Sequence, residues 1–145
     1  MLVEDDSANA MMVRWAFGDL NVTNPVVHSR DGEEALEYLR DDNNRKPYII
    51  LLDLNMPKMN GIEFLKIIKG DPVIRSIPVV MLTTSDDERD IAESFYLNVA
   101  GYIVKPSDHE QFLETIRIID LYGSFSELPN REDNYDRHKV FSIAR

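Results

Sequence analysis

Four places in this chain put reactive side chains directly after an apolar run: Glu4-Asp5-Asp6 after MLV, Asp53 after YIILL, Thr83-Thr84 after PVVML, and Lys105-Pro106 after GYIV. Carboxylates crowded at one point repel each other and raise one another's pKa unless a cation sits among them. Hard oxygen donors without His or Cys suit Mg²⁺ or Ca²⁺, and a site with only two or three protein carboxylates leaves room for the waters that Mg²⁺ keeps. Mg²⁺ is therefore the expected ion. Together with a metal, a lone aspartate, a hydroxyl and an ammonium supply what phosphoryl transfer to a carboxylate requires. Asp53 would attack in line, while the metal, Lys105 and Thr83 would each meet one equatorial oxygen.

Each residue also has a plainer reading. Asp53 followed by Asn, Pro and Gly can be turn chemistry, and Glu4-Asp5-Asp6 an acidic helix start capped by Ser7. Thr83 and Thr84 can simply end a strand, and Lys105 can be a solvated charge. What favours the joint reading is that four separate segments supply complementary parts.

Those parts meet only if the segments lie side by side. Five apolar runs bounded by breakers, at 1–4, 26–29, 48–53, 79–83 and 101–105, alternate with helical patterns at 7–20, 32–40, 61–69, 87–97 and 108–122. Strands alternating with helices predict βα crossovers and a parallel sheet. YIILL and PVVML lack the polar alternation of a half-wet strand, so helices should cover both faces, giving a doubly wound α/β sandwich. Ligands then bind beyond the carboxyl ends of the strands. In the first helix, Asn9, Met12, Val13, Ala16, Phe17 and Leu20 are expected to face inward, leaving Met11 and Trp15 off that stripe. In the fifth, Phe112, Ile116 and Ile119 have core spacing, and Leu113, Ile118, Leu121 and Tyr122 add more apolar surface than one stripe needs.

The chain has 145 residues and a net charge of −10. Residues 123–145 hold four acids and four bases, so the whole excess belongs to the body before them. Such a body repels nucleic acid, whose binding depends on Lys and Arg. Without cysteine there are no disulfides, thiolate chemistry or Cys-bound metals, which fits a reducing compartment, and cytoplasm is the expectation. No apolar run approaches the roughly 20 residues of a membrane span, and the amino terminus has acids where a signal peptide has bases. His28, His109 and His138 are scattered and form neither a metal cluster nor a relay.

VEDD, LLDLNMPKMNG, VVMLTTS and GYIVKPSD, in that order, resemble the receiver domains of two-component response regulators over residues 1 to about 122. The resemblance implies a five-stranded sheet of order 2-1-3-4-5. It makes Asp53 the phosphoacceptor, Asp5 a direct metal carboxylate, Glu4 a ligand through water and the Asn55 carbonyl a further one, with Asp6 a bystander. Thr83 becomes the switch hydroxyl, Lys105 the phosphate-binding ammonium joined to Pro106 by a cis bond, and Tyr102 the aromatic switch. The implied partners are a sensor histidine kinase, docking near Met11 and Trp15, and a downstream or phosphotransfer protein. A homodimer through the fourth helix, fifth strand and fifth helix is also implied. The polar insertion DDNNRK and the extension from YGSFSELP resemble the single-domain regulators paired with phytochrome-type or hybrid kinases.

The first run is shorter than is usual in that family, so the natural chain is expected to begin upstream or this strand to be trimmed. Past Gly123, an expected helix cap, residues 123–145 are too short for a DNA-binding output domain and are expected to be a tail or dimerisation arm. Two other classes of function compete, a binding module and an enzyme of the same broad architecture. A receiver used only for binding or dimerisation, without phosphate, would not need the full set of reactive residues. A flavodoxin would need a glycine- and hydroxyl-rich first loop where EDDSAN stands. An aspartate-nucleophile phosphatase would need a second aspartate where Asn55 stands. Metabolic catalysis is not expected.

Overall fold

Parallel pairing explains the unbroken apolar runs. A computed structural model describes residues 1–22 and 25–125. In chain order the elements are β1 (Leu2–Val3), α1 (Ser7–Asp19), β2 (His28–Ser29), α2 (Gly32–Arg40), β3 (Ile50–Leu52), α3 (Gly61–Gly70), β4 (Val79–Thr83), α4 (Glu88–Tyr96), β5 (Gly101–Val104) and α5 (His109–Phe125). The five strands form one parallel sheet of order β2-β1-β3-β4-β5.

Alternate residues of the central strands enter two cores. Ile50, Leu52, Val79 and Met81 pack with Leu36, Leu39, Phe64, Leu65 and Ile68 from α2 and α3. Leu51, Val80 and Leu82 pack on the other face with Val13, Ala16 and Phe17 from α1 and with Phe112, Ile116 and Ile119 from α5. Both faces are dry, which is why YIILL and PVVML show no polar alternation. Among the described residues no helix is long and apolar enough to cross a membrane.

Four strands, β1, β2, β3 and β5, are shorter than expected, but main-chain bonds carry the pairing past their ends. Glu4 N–H donates to Ser29 O at 3.0 Å, Asp53 N–H to Val3 O at 3.0 Å and Lys105 N–H to Thr83 O at 2.7 Å. Reactive residues are thus held by the sheet itself. In α1 the buried residues are Ala10, Val13, Ala16 and Phe17. Met12, expected inside, is 41% exposed, because the stripe turns toward Ala10 and α5 covers only a narrow face. Trp15 and Met11 are solvent-facing rather than tucked against a neighbour. Gly123 does not cap α5, which continues to Phe125. Beyond Phe125, the expected tail or dimerisation arm lies outside the described residues, as does His138.

The β3–α3 turn shows how backbone chemistry aims the site. Lys58 has φ 64, and Met59 N–H donates to Pro57 O at 2.7 Å, a tight three-residue turn with positive φ. Gly61 N–H then closes the loop onto Leu54 O at 2.8 Å, and Asn60 caps α3 by accepting from Glu63 N–H. A Cβ on Gly61 would stand 2.5 Å from Asp53 O and 2.8 Å from Leu54 Cα, so only glycine fits. Gly61→Ala should therefore lower stability by about 1–3 kcal/mol through forced backbone movement. Gly18→Ala, whose Cβ would meet nothing within 4 Å, should be neutral or stabilising by up to about 1 kcal/mol. Denaturant titration of both variants checks the contrast.

Candidate functional site

β1 and β3 are neighbours with Val3 opposite Leu52, so the next residues, Glu4 and Asp53, emerge side by side at the carboxyl edge. Glu4, Asp5 and Asp53 each bring a carboxylate oxygen within 4.8 Å of the others. Glu4 is 2% and Asp53 7% exposed, while Asp5 is open to solvent. From β5, two strands away from β3, Lys105 Nζ reaches in to donate to Glu4 Oε2 at 2.6 Å and lies 3.9 Å from Asp53 Oδ1. Thr83, at the end of β4 between them, is fully buried.

Burial disfavours charge on both inner carboxylates. It pushes Asp53 above its ordinary value, against the pull of the Lys105 ammonium and the Thr83 hydroxyl, and the Asp5 charge adds to the rise. Glu4 is likewise raised, first by burial, with Lys105 opposing and the Asp53 charge reinforcing the shift. A polar pocket with more negative than positive charge fits a hard divalent cation, which the three oxygens could hold.

The remaining expected residues fall around this centre. Asn55 is exposed, two residues past Asp53 in the same loop. Asp6 faces away and caps α1, accepting from Asn9 N–H at 2.9 Å, so the cap is Asp6 rather than Ser7. Tyr102 is half-buried, and its hydroxyl donates to Ser85 O at 2.9 Å. One expectation is corrected: no peptide bond among the described residues is cis, so Lys105–Pro106 is trans, the form favoured by X-Pro bonds by roughly 0.5–1 kcal/mol. From that backbone the Lys105 side chain already spans to Glu4 and Asp53.

Two contacts were not foreseen. His28 Nε2 lies 2.8 Å from Glu4 O, which requires it to donate and pins the Glu4 main chain from β2. Ser85 ties the end of β4 to α4 through Asp90 Oδ2 at 2.6 Å. The parallel register pairing Leu2 with His28 would have pointed to the first, whereas nothing in TTSDDERD distinguishes Asp90 from its acidic neighbours.

Carboxylates, hydroxyl and ammonium gather at the carboxyl edge of a 2-1-3-4-5 sheet, the edge at which the flavodoxin-like class of doubly wound folds binds its ligands. Residues 1–117 match the model of the response regulator receiver domain, and the chain belongs to that family. It is 40% identical over 125 residues to the probable methanogenesis regulatory protein FilR2 of Methanothrix harundinacea, with 84% of this chain and 81% of that protein covered. Response regulator Rcp1 of Synechocystis is 34% identical over 126 residues, covering 84% and 86%. Among solved structures, the phosphorylated cyanobacterial phytochrome response regulator RcpA superimposes with a TM-score of 0.82 at 41% identity, over 89% of this chain and 96% of that one. The Mn²⁺-bound form of Rcp1 gives 0.81 at 34% identity, over 89% and 96%.

The electrostatics make a measurable claim. Asp53 has a raised folded-state pKa, so the native state keeps a proton that the unfolded state has lost. Wild type should therefore lose stability relative to Asp53→Asn as pH rises from the ordinary carboxylate range through that raised value, while at lower pH the difference between them stays constant. At neutral pH without divalent cation, Asp53→Asn should melt higher. Saturating divalent cation should reverse the order, stabilising wild type by about 2.7 kcal/mol at a hundred times its dissociation constant, and Asp5→Asn should lose most of that gain. Thermal melts across pH, with and without the ion, decide this.

Proposed function

We propose that this receiver domain takes a phosphoryl group from a histidine kinase onto Asp53, in a Mg²⁺-dependent step, and signals through altered contacts with another protein. The observation that carries the reading is the meeting of Asp53, Glu4, Asp5, Thr83 and Lys105 at one sheet edge. An Asp53 carboxylate oxygen attacks phosphorus of a phosphohistidine on the partner, forming the P–O bond of an acyl phosphate. The P–N bond breaks, and the histidine nitrogen keeps the electron pair and takes up a proton. Asp5 and Asp53, with Glu4 through water and the Asn55 carbonyl, would hold Mg²⁺. When bound, that ion supplies charge neutralisation on a phosphoryl oxygen.

The protein's own share is positional. Lys105 lies within reach of Asp53, where its ammonium can pair with a second phosphoryl oxygen, and the Thr83 hydroxyl can donate to a third. The added charge of roughly −1.5 to −2 draws both groups toward Asp53, and Tyr102 follows Thr83. Residues 1–122 act as the receiver and 123–145 as an appended arm. The surface read by partners includes Phe95, Tyr96, Val104, Ile118, Leu121 and Tyr122, all exposed apolar side chains of α4, β5 and α5. Homodimerisation through this face is one output, and Met11 and Trp15 on α1 offer a kinase contact. The kinase is a sensor of the phytochrome or hybrid type, by similarity to the phytochrome regulators, and the protein works in the cytoplasm rather than on nucleic acid or membrane.

Intact mass after incubation with Mg²⁺ and a small phosphodonor should show one added phosphoryl group on wild type and none on Asp53→Asn. Lys105→Met should slow modification by roughly tenfold or more, as expected on loss of one charged transition-state contact. Light scattering on the same samples reads dimerisation. An unmodified, well-folded wild type would leave the phosphate-independent binding module as the better reading.

A further inference from the structure

Every polar group of Ser85 is engaged. Its N–H donates to Thr83 Oγ1 at 3.3 Å, and its carbonyl accepts from the Tyr102 hydroxyl at 2.9 Å. Its hydroxyl donates to Asp90 Oδ2 at 2.6 Å and accepts from Asp87 N–H at 3.4 Å. Asp87 is the cap of α4, and Asp90 lies in its first turn, where the Asp90 carbonyl also accepts from Ser94 Oγ at 2.7 Å. One residue therefore touches the buried hydroxyl beside Asp53, the aromatic ring on β5 and the start of α4.

The contact matters because α4 has little else. Ser94 is its only buried residue, and Phe95 and Tyr96 are 51% and 85% exposed. Apolar packing holds it through Leu97 and Val99 just beyond it, and Ile91 is half-buried. A Lys66–Glu93 pair of 2.8 Å joins it to α3, but both side chains are about half exposed, so the pair contributes little. A short hydroxyl–carboxylate bond is of the stronger, charge-assisted kind.

We infer that Ser85 is a positioning residue, whose side chain latches the first turn of α4 to the end of β4 and thereby holds the Tyr102 acceptor and α4 in register with Thr83. A pull on Thr83 shifts Ser85 N–H, and the same residue passes that shift to Asp90 and Tyr102. The latch itself is a feature of the unmodified protein. Its use in signalling rests on the phosphoacceptor reading of Asp53.

Amide hydrogen exchange on the full chain tests it, with and without beryllofluoride and Mg²⁺ as a phosphoryl mimic. Ser85→Ala should speed exchange of the α4 amides by about tenfold or more, the effect of losing one charge-assisted hydrogen bond, and leave α1 to α3 unchanged. Ser85→Thr, which keeps the hydroxyl, should restore protection. Asp90→Ala should match Ser85→Ala, and the double variant should add nothing further. In 3-fluorotyrosine-labelled protein the Tyr102 resonance, assigned with Tyr102→Phe, should move with the mimic in wild type and not in Ser85→Ala. Exchange in α4 within twofold of wild type in Ser85→Ala, or additive effects of the two single substitutions, would overturn the latch. A wild type that ignores the mimic while Ser85→Ala still loosens α4 would support the latch and sink the phosphoacceptor reading instead.

Discussion

Glu4 and Asp53 are two carboxylates withdrawn from water at adjacent strand ends, with one ammonium between them. The sheet leaves them no alternative. Val3 and Leu52 are paired and fully buried below them, so the backbone that satisfies the two cores also fixes where the acids emerge. At 4 Å and an effective dielectric of about 20, two like charges repel by about 4 kcal/mol, a sizeable fraction of the stability of a small domain. Lys105, crossing from β5, offsets part of that repulsion, and the arrangement favours any further positive charge supplied from solution. A cluster of oxygens that fits a divalent cation is therefore a consequence of how β1 and β3 pair.

The ammonium is divided unequally, 2.6 Å from Glu4 and 3.9 Å from Asp53. Glu4 is the more buried of the two and also accepts from Asp6 N–H at 3.1 Å. His28 fixes its main chain from the other side. Glu4 is thus the anchored partner, and Asp53, with Thr83 above it, the one whose surroundings can change. Charge added on Asp53 shifts the balance for Lys105 toward that side without any movement of the sheet, because the main-chain bond from Lys105 N–H to Thr83 O keeps the base of the side chain in place.

Much of this was legible before the fold was known, for reasons visible in particular residues. Dry strands such as PVVML state a two-sided sheet, and the abrupt change to Thr83 or Asp53 states where each strand leaves the core. Seven residues of β3 and β4 fall into the two cores by simple alternation, as a pleated strand requires. What the sequence hid were properties of pairs. Met12 and Ala10 exchange places because the inward stripe depends on where α5 lies, which no single-helix pattern records. The Glu4–Lys105 contact joins residues 101 positions apart, and Lys105 was read as a partner for phosphate alone.

The same contrast separates the rigid part of the molecule from its responsive part. α1, α2, α3 and α5 each sink several apolar side chains into a core, so moving any of them would expose area worth roughly 25 cal/mol per Å². α4 buries one serine, and at its first turn it is tied to the end of β4 by the Ser85–Asp90 hydrogen bond. Hydrogen bonds exchange partners at small net cost, whereas apolar area cannot leave a core without meeting water. On the proposed phosphoacceptor reading of Asp53, charge added there would move what is tied by hydrogen bonds and leave what is packed. This is why the exposed Phe95 and Tyr96, on the helix with the least apolar anchoring, form the part of the surface best placed to report the state of the site.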